Sequence, residues 1–146
     1  MRANTRTTLF DESFPSTFEA MSGALARAID LLLEDGWIAP RDEPCTRLCV
    51  EEALVNAIRH GNGCDASRNV RLEISVQDAR CTVRVFDEGE GFAPEAVAEP
   101  TTEQLGGRGI CLIRHYMDEV SFNAEDHCLE MVFRRRDARE EECAHG

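Results

Sequence analysis

The chain has 146 residues, 42% of them hydrophobic and 30% charged, with a formal net charge of -12. That length suits one domain burying roughly 68–70% of its unfolded surface, and the acidic balance excludes direct nucleic-acid binding, which relies on Lys and Arg displacing counterions from phosphates. The opening MRANTRTTLF lacks the apolar core of a secretory signal, and no run approaches the roughly 18 apolar residues of a membrane span, so the expected setting is the cytoplasm, away from the membrane.

Residues 5–10, TRTTLF, are β-branched and apolar enough for a short strand. From Ser16 to Leu33, apolar residues recur at Phe18, Met21, Leu25, Ile29 and Leu32, the spacing of a helix buried on one side, and Gly36 closes it. WIAPRDEP is a connection whose Pro44 fits the first turn of a second helix reaching about Arg59. Two alternating runs, Val70 to Val76 and Cys81 to Phe86, predict an antiparallel hairpin. A glycine-bearing loop and a region rich in Glu, Pro and Thr lead to a helix start over Gly109 to Met117. Val120 to Phe122 and Cys128 to Phe133 then predict a second hairpin. The charged tail, 135–146, is expected to fray, leaving a core of about 5–134 in a single domain spanning 1–146. This order argues for a sheet covered on one side by helices.

Seven cysteines form an odd set without a C-x-x-C pair. Several sit in apolar segments, as reduced thiols do, and no ligand spacing suggests a structural zinc site.

Three stretches carry chemistry. In EEALVNAIRHGN, Val50, Leu54, Ala57 and Ile58 make a core stripe, while Glu52, Asn56, Arg59 and His60 make a second, polar one. Any amphipathic helix shows water such a face; the sharper reading is a catalytic wall, to which an Asn mid-helix adds a small argument because Asn is a mediocre helix former. In DEGEGF, Asp87 follows a strand end and Gly89 and Gly91 permit a close backbone approach to a flat ligand. An acidic surface turn is the alternative. In GGRG, Gly106, Gly107, Arg108 and Gly109 enter a helix, exposing backbone N–H groups and the positive helix end to an anion; a flexible connection is the alternative.

In this order the three resemble the N, G1 and G2 boxes of the GHKL (Bergerat-fold) ATPase and kinase superfamily, which includes gyrase and histidine kinases. EALVNAIRHGN, DEGEGF and GGRGICLIRHYMDEV look most like those of the anti-sigma-factor serine/threonine protein kinases, over about Ser16 to Phe133. The resemblance implies an α+β fold: a two-layer α/β sandwich, with a mixed, mostly antiparallel sheet covered by helices on one face. It implies ATP and Mg2+ as cofactors. Glu52 is then the general base for an acceptor hydroxyl, and Asn56 the ligand that offers magnesium an amide oxygen. Asp87 reads the adenine amine, with Gly89 and Gly91 shaping the base pocket. Gly107, Arg108 and Gly109 lie against the phosphates, behind a short lid over Pro100 to Leu105. His60 and Gly61 match the family pattern in a supporting role, His60 also being suited to the helix C-terminus. Glu51 reads as a solvated neighbour.

Fourteen residues, Phe92 to Leu105, separate the two glycine boxes. Histidine kinases usually carry a longer lid there, so the freestanding serine kinases are the better match. The resemblance implies two partners: a sigma factor that the protein sequesters, and a STAS-domain anti-sigma-factor antagonist that it phosphorylates, with the kinase commonly a homodimer. The alternatives are a nucleotide-binding sequestration protein without phosphoryl transfer and a detached histidine-kinase-like module.

Overall fold

Alternation in VRLEISV and CTVRVF puts Val70, Leu72, Ile74, Cys81, Val83 and Val85 on one face of a hairpin, and all six are buried. The computed structural model describes residues 5–89, 113 and 116–135. Along the chain run β1 (Thr7–Pro15), α1 (Phe18–Glu34), a 3-10 turn (Pro40–Asp42), α2 (Glu43–Asn56), a π-helical turn (Ala57–Gly61), β2 (Asn69–Gln77), β3 (Arg80–Phe86), β4 (Glu119–Asn123) and β5 (Cys128–Arg134). The strand order is β1-β2-β3-β5-β4. Every described pair is antiparallel, so the expectation of a mostly antiparallel sheet is met without a parallel pair among the described residues.

Because β5 lies between β3 and β4, the chain leaving β3 at Asp87 re-enters the sheet at its edge strand. The second and third sequence constellations both fall in that crossover. Gly91, the lid segment, Gly107, Arg108 and Gly109 lie outside the described residues, as does the tail beyond residue 135. Of the helix expected at its end, Ile113 and Tyr116 are helical, and Met117 N–H donates to the Ile113 carbonyl at 2.8 Å. Ile113 is fully buried, and the Tyr116 hydroxyl shares a 2.6 Å hydrogen bond with Thr46 Oγ1 on α2.

α1 starts where Thr17 Oγ1 accepts the Ala20 N–H at 3.2 Å, a side-chain cap for an otherwise unpaired donor. It buries Met21, Ala24, Leu25, Ala28, Ile29 and Leu32. Phe18 departs from the expected stripe. It is 44% exposed, and the Arg59 guanidinium lies 5.7 Å from its ring centroid. The helix ends at Glu34 and is closed by Gly36, φ 76, one residue past the Asp35 cap, with Trp37 N–H returning to the Leu32 carbonyl at 2.9 Å.

β1 is longer than residues 5–10 suggested. Alternation of Phe10, Glu12 and Phe14 carries it to Pro15, with a register irregularity between Thr8 and Phe10. α1, α2 and the inner sheet face close one core, in which Phe133, Ile29, Leu32, Leu54, Ile58 and Leu72 are essentially inaccessible. The opposite sheet face carries an alternating charge ladder: Arg71 bridges Asp11 (2.8 Å) and Glu73 (3.3 Å), and Arg84 bridges Glu73 (3.3 Å) and Glu130 (2.6 Å). These pairs, exposed at Asp11 and Arg71 and half-buried around Arg84, keep the face polar. Among the described residues, no helix is long and apolar enough to cross a membrane.

Candidate functional site

The stripe through Glu52, Asn56, Arg59 and His60 does not stay on one surface. α2 is α-helical through Asn56 and then widens into a π turn, in which Asn62 N–H donates to the Ala57 carbonyl at 2.9 Å. The wider turn carries Arg59 and His60 out to solvent, while Asn56 is turned inward and only 6% exposed. Val50, Leu54, Ala57 and Ile58 remain in the core as their spacing predicts.

Asn56 and Asp87 both line a narrow cleft. Its walls are Ala53, Asn56 and Ala57 from the second helical segment, Val85 and Asp87 from the end of β3, Phe122 from β4 and Leu129 from β5. Two polar side chains stand among its apolar walls, and between the described residues these walls enclose only about 20 Å3. A wider groove of about 650 Å3, on the far side of the sheet around Arg84, Phe86 and the β4–β5 turn, holds none of the sequence-predicted site residues.

The Asp87 carboxyl is nearly buried. Burial raises its pKa, against the lowering effects of the Gly89 N–H, His127 and Arg68. Its Oδ1 accepts the Gly89 N–H at 3.1 Å and lies 3.7 Å from His127 Nδ1, while Asp87 N–H donates to the His127 carbonyl at 3.1 Å. His127 Nδ1 is buried and makes no hydrogen bond.

Two glycines make this approach possible. A Cβ on Gly61 would lie 2.3 Å from Asp87 Cγ, and one on Gly89 would lie 1.5 Å from the Gly61 carbonyl oxygen. The end of the π turn and the loop after β3 therefore touch backbone to backbone.

Glu52 sits one helical turn before Asn56, half-buried on the same helix. Desolvation raises its pKa first, the neighbouring Glu51 carboxylate raises it further, and Arg59 opposes both. A carboxylate made more basic by its surroundings suits proton abstraction from a hydroxyl. Asn56 offers an amide oxygen, the hard ligand that magnesium takes.

Three contributors were not singled out from sequence. Asn62 is 2% exposed and hydrogen-bonds the loop of Asp87 through Glu88 N–H at 2.8 Å. Ser16 Oγ accepts a hydrogen bond from Asn62 Nδ2 at 2.8 Å, and His127 lies beside Asp87. Asn62 ends the EEALVNAIRHGN stretch, but nothing local marks its side chain, Ser16 or His127 for these contacts.

Residues 14–133 match the model of the histidine kinase-like ATPase domain. The chain is similar to an anti-sigma F factor of Clostridium perfringens, 26% identical over 98 residues that cover 62% of this chain and 69% of that protein. It is 28% identical over 102 residues to the serine/threonine-protein kinase BtrW of Bordetella bronchiseptica, covering 66% and 71%. With an anti-sigma F factor of Geobacillus thermodenitrificans it shares 32% identity over 83 residues, 52% and 56% of the two chains. The match spans the helices, the cleft and the strands around it, and it implies ATP use: the chain belongs to the histidine kinase-like ATPase domain family.

Proposed function

We propose that this protein is an ATP-dependent serine/threonine protein kinase and anti-sigma factor, working in a partner-switching pathway. The observation that carries the reading is the cleft that Asn56 and Asp87 both line, with half-buried Glu52 one turn away on the same helix. The names of the similar proteins, an anti-sigma F factor and a serine/threonine-protein kinase, support it.

In this reading Asp87 accepts the hydrogen bond of the adenine amine, and Gly89 and Gly91 let the backbone lie against the base. Gly107, Arg108 and Gly109 receive the phosphates. Asn56 would hold Mg2+, which would offset negative charge on the phosphate oxygens. The hydroxyl oxygen of a serine or threonine on the partner bonds to the γ-phosphorus of ATP as the bond to the ADP oxygen breaks. Glu52 takes the hydroxyl proton. His60 and Gly61 support the geometry.

The partners are a sigma factor, held inactive, and a STAS-domain antagonist, which is phosphorylated and so released; the kinase acts as a cytoplasmic homodimer. Residues 5–134 form the core of its one kinase domain. The test is incubation with Mg2+, γ-labelled ATP and a candidate STAS protein, beside Glu52→Gln. Acid-stable label on a serine or threonine, formed by the parent protein alone, supports the reading. Absence of label with an ATP-bound, active preparation and the correct partner replaces it with nucleotide-gated sequestration.

A further inference from the structure

Asn62 ends the π turn and is 2% exposed, yet its whole carboxamide is engaged. Its Nδ2 donates to Ser16 Oγ at 2.8 Å and to the Asn69 carbonyl at 2.9 Å. Its Oδ1 accepts the Glu88 N–H at 2.8 Å. The orientation of the amide is unambiguous, because a backbone N–H faces one end and a backbone carbonyl the other. Ser16 Oγ in turn donates to the Arg68 carbonyl at 2.7 Å, and Asn62's own N–H is held by the Ala57 carbonyl. One side chain therefore joins four segments: the β1–α1 junction, the π turn, the start of β2 and the loop after β3.

The loop end of this clamp is the informative one. Glu88 directly follows Asp87, whose carboxylate also receives the Gly89 N–H. The clamp reaches the base end of the cleft through Glu88, the residue that follows Asp87. We propose that Asn62 is a positioning residue for base recognition: it fixes the loop that aims Asp87, and through it sets how strongly the site prefers a purine carrying an exocyclic amine at the six position. This rests on the reading of Asp87 as the adenine acceptor. Replacing Asn62 leaves the Glu88 N–H without its acceptor and lets the loop depart from the scaffold, so the hydrogen bond to the amine loosens.

The experiment compares ATP with inosine triphosphate, which has an oxo group where adenine has the amine. Affinities are measured for the parent protein, Asp87→Asn, Asn62→Ala, Asn62→Asp and Ser16→Ala, with folding checked by circular dichroism and thermal melts. Partial unfolding weakens both nucleotides alike and leaves their ratio untouched. The parent is expected to prefer ATP by at least about tenfold, and Asn62→Ala to shrink that ratio by about fivefold, the scale of one lost hydrogen bond. Asn62→Asp keeps an acceptor for Glu88 N–H but turns an oxygen toward the Asn69 carbonyl, and Ser16→Ala removes one anchor. Both shift the ratio less, in the same direction, and carry the test if Asn62→Ala does not fold.

Equal affinity of the parent for the two nucleotides overturns the adenine reading of Asp87, and the role of Asn62 with it. A parent that discriminates, with Asp87→Asn losing the preference and every folded Asn62 or Ser16 variant keeping it, overturns the Asn62 role alone.

Discussion

Gly61 and Asp87 are packed so closely that a single methyl group on Gly61 would sit 2.3 Å from the Asp87 carboxyl carbon. No real Cβ contact is that short, so the Asp87 side chain or the end of the π turn must shift. Gly61→Ala is expected to displace Asp87, lowering stability by about 1–3 kcal/mol and ATP affinity by about tenfold. Gly89→Ala meets the Gly61 carbonyl itself and is expected to cost more, because backbone must move. Thermal melts and nucleotide titrations check both; an Ala at either position with parent-like affinity contradicts the contact.

The Asp87 carboxyl predicts two pH effects of opposite sign. Burial raises its pKa, and its ionised form is the better acceptor for an amine, so ATP affinity should fall as pH drops through the raised value. For folding without nucleotide, an acid with a higher pKa in the folded state binds more protons when folded. This group therefore favours the fold at low pH, and that contribution is lost as pH rises through the folded value. His127→Asn removes an influence that lowers the Asp87 pKa, so the affinity break should move to higher pH. Titrations over about pH 4 to 7 read it.

Glu51 and Glu52 should separate kinetically. Glu52→Gln is expected to reduce phosphoryl transfer by about 10²–10⁴ while leaving ATP binding nearly unchanged. Glu51→Gln should keep transfer but move the acid limb of the rate profile to lower pH, since the Glu51 charge helps raise the Glu52 pKa. Single-turnover assays across pH distinguish the two roles.

Thiol reactivity should follow burial. Cys128, buried on the sheet, has its thiol pushed up to about 12, whereas Cys45 and Cys64 are exposed. Brief alkylation of the folded protein near about pH 8, followed by peptide mass spectrometry, should label Cys45 and Cys64 and spare Cys128.

The α1 cap makes a local stability prediction. Thr17→Ala leaves the Ala20 N–H without its side-chain acceptor and should cost about 1 kcal/mol, a melting shift of roughly 2–4 °C. A shift of that size with unchanged nucleotide affinity is the expected signature.

Much of this protein is determined by sequence alone because its signals are local. Period-two alternation in VRLEISV and CTVRVF, and the core stripe Val50, Leu54, Ala57 and Ile58, follow from backbone geometry that each segment carries by itself. Composition likewise sets the acidic charge, and the ordered boxes mark the family. Only the tertiary structure decided that Asn56 turns inward while Arg59 and His60 turn out, because the switch from α to π winding after Asn56 leaves no signature in residue spacing. The same holds for Phe18, apolar by type and on the expected stripe, yet left exposed at the first turn of α1. Asn62 shows the limit most clearly. Nothing in its local sequence assigns the side chain, whose hydrogen bonds run to Ser16, Asn69 and Glu88, and partners up to 46 residues away exist only once the chain has closed around them.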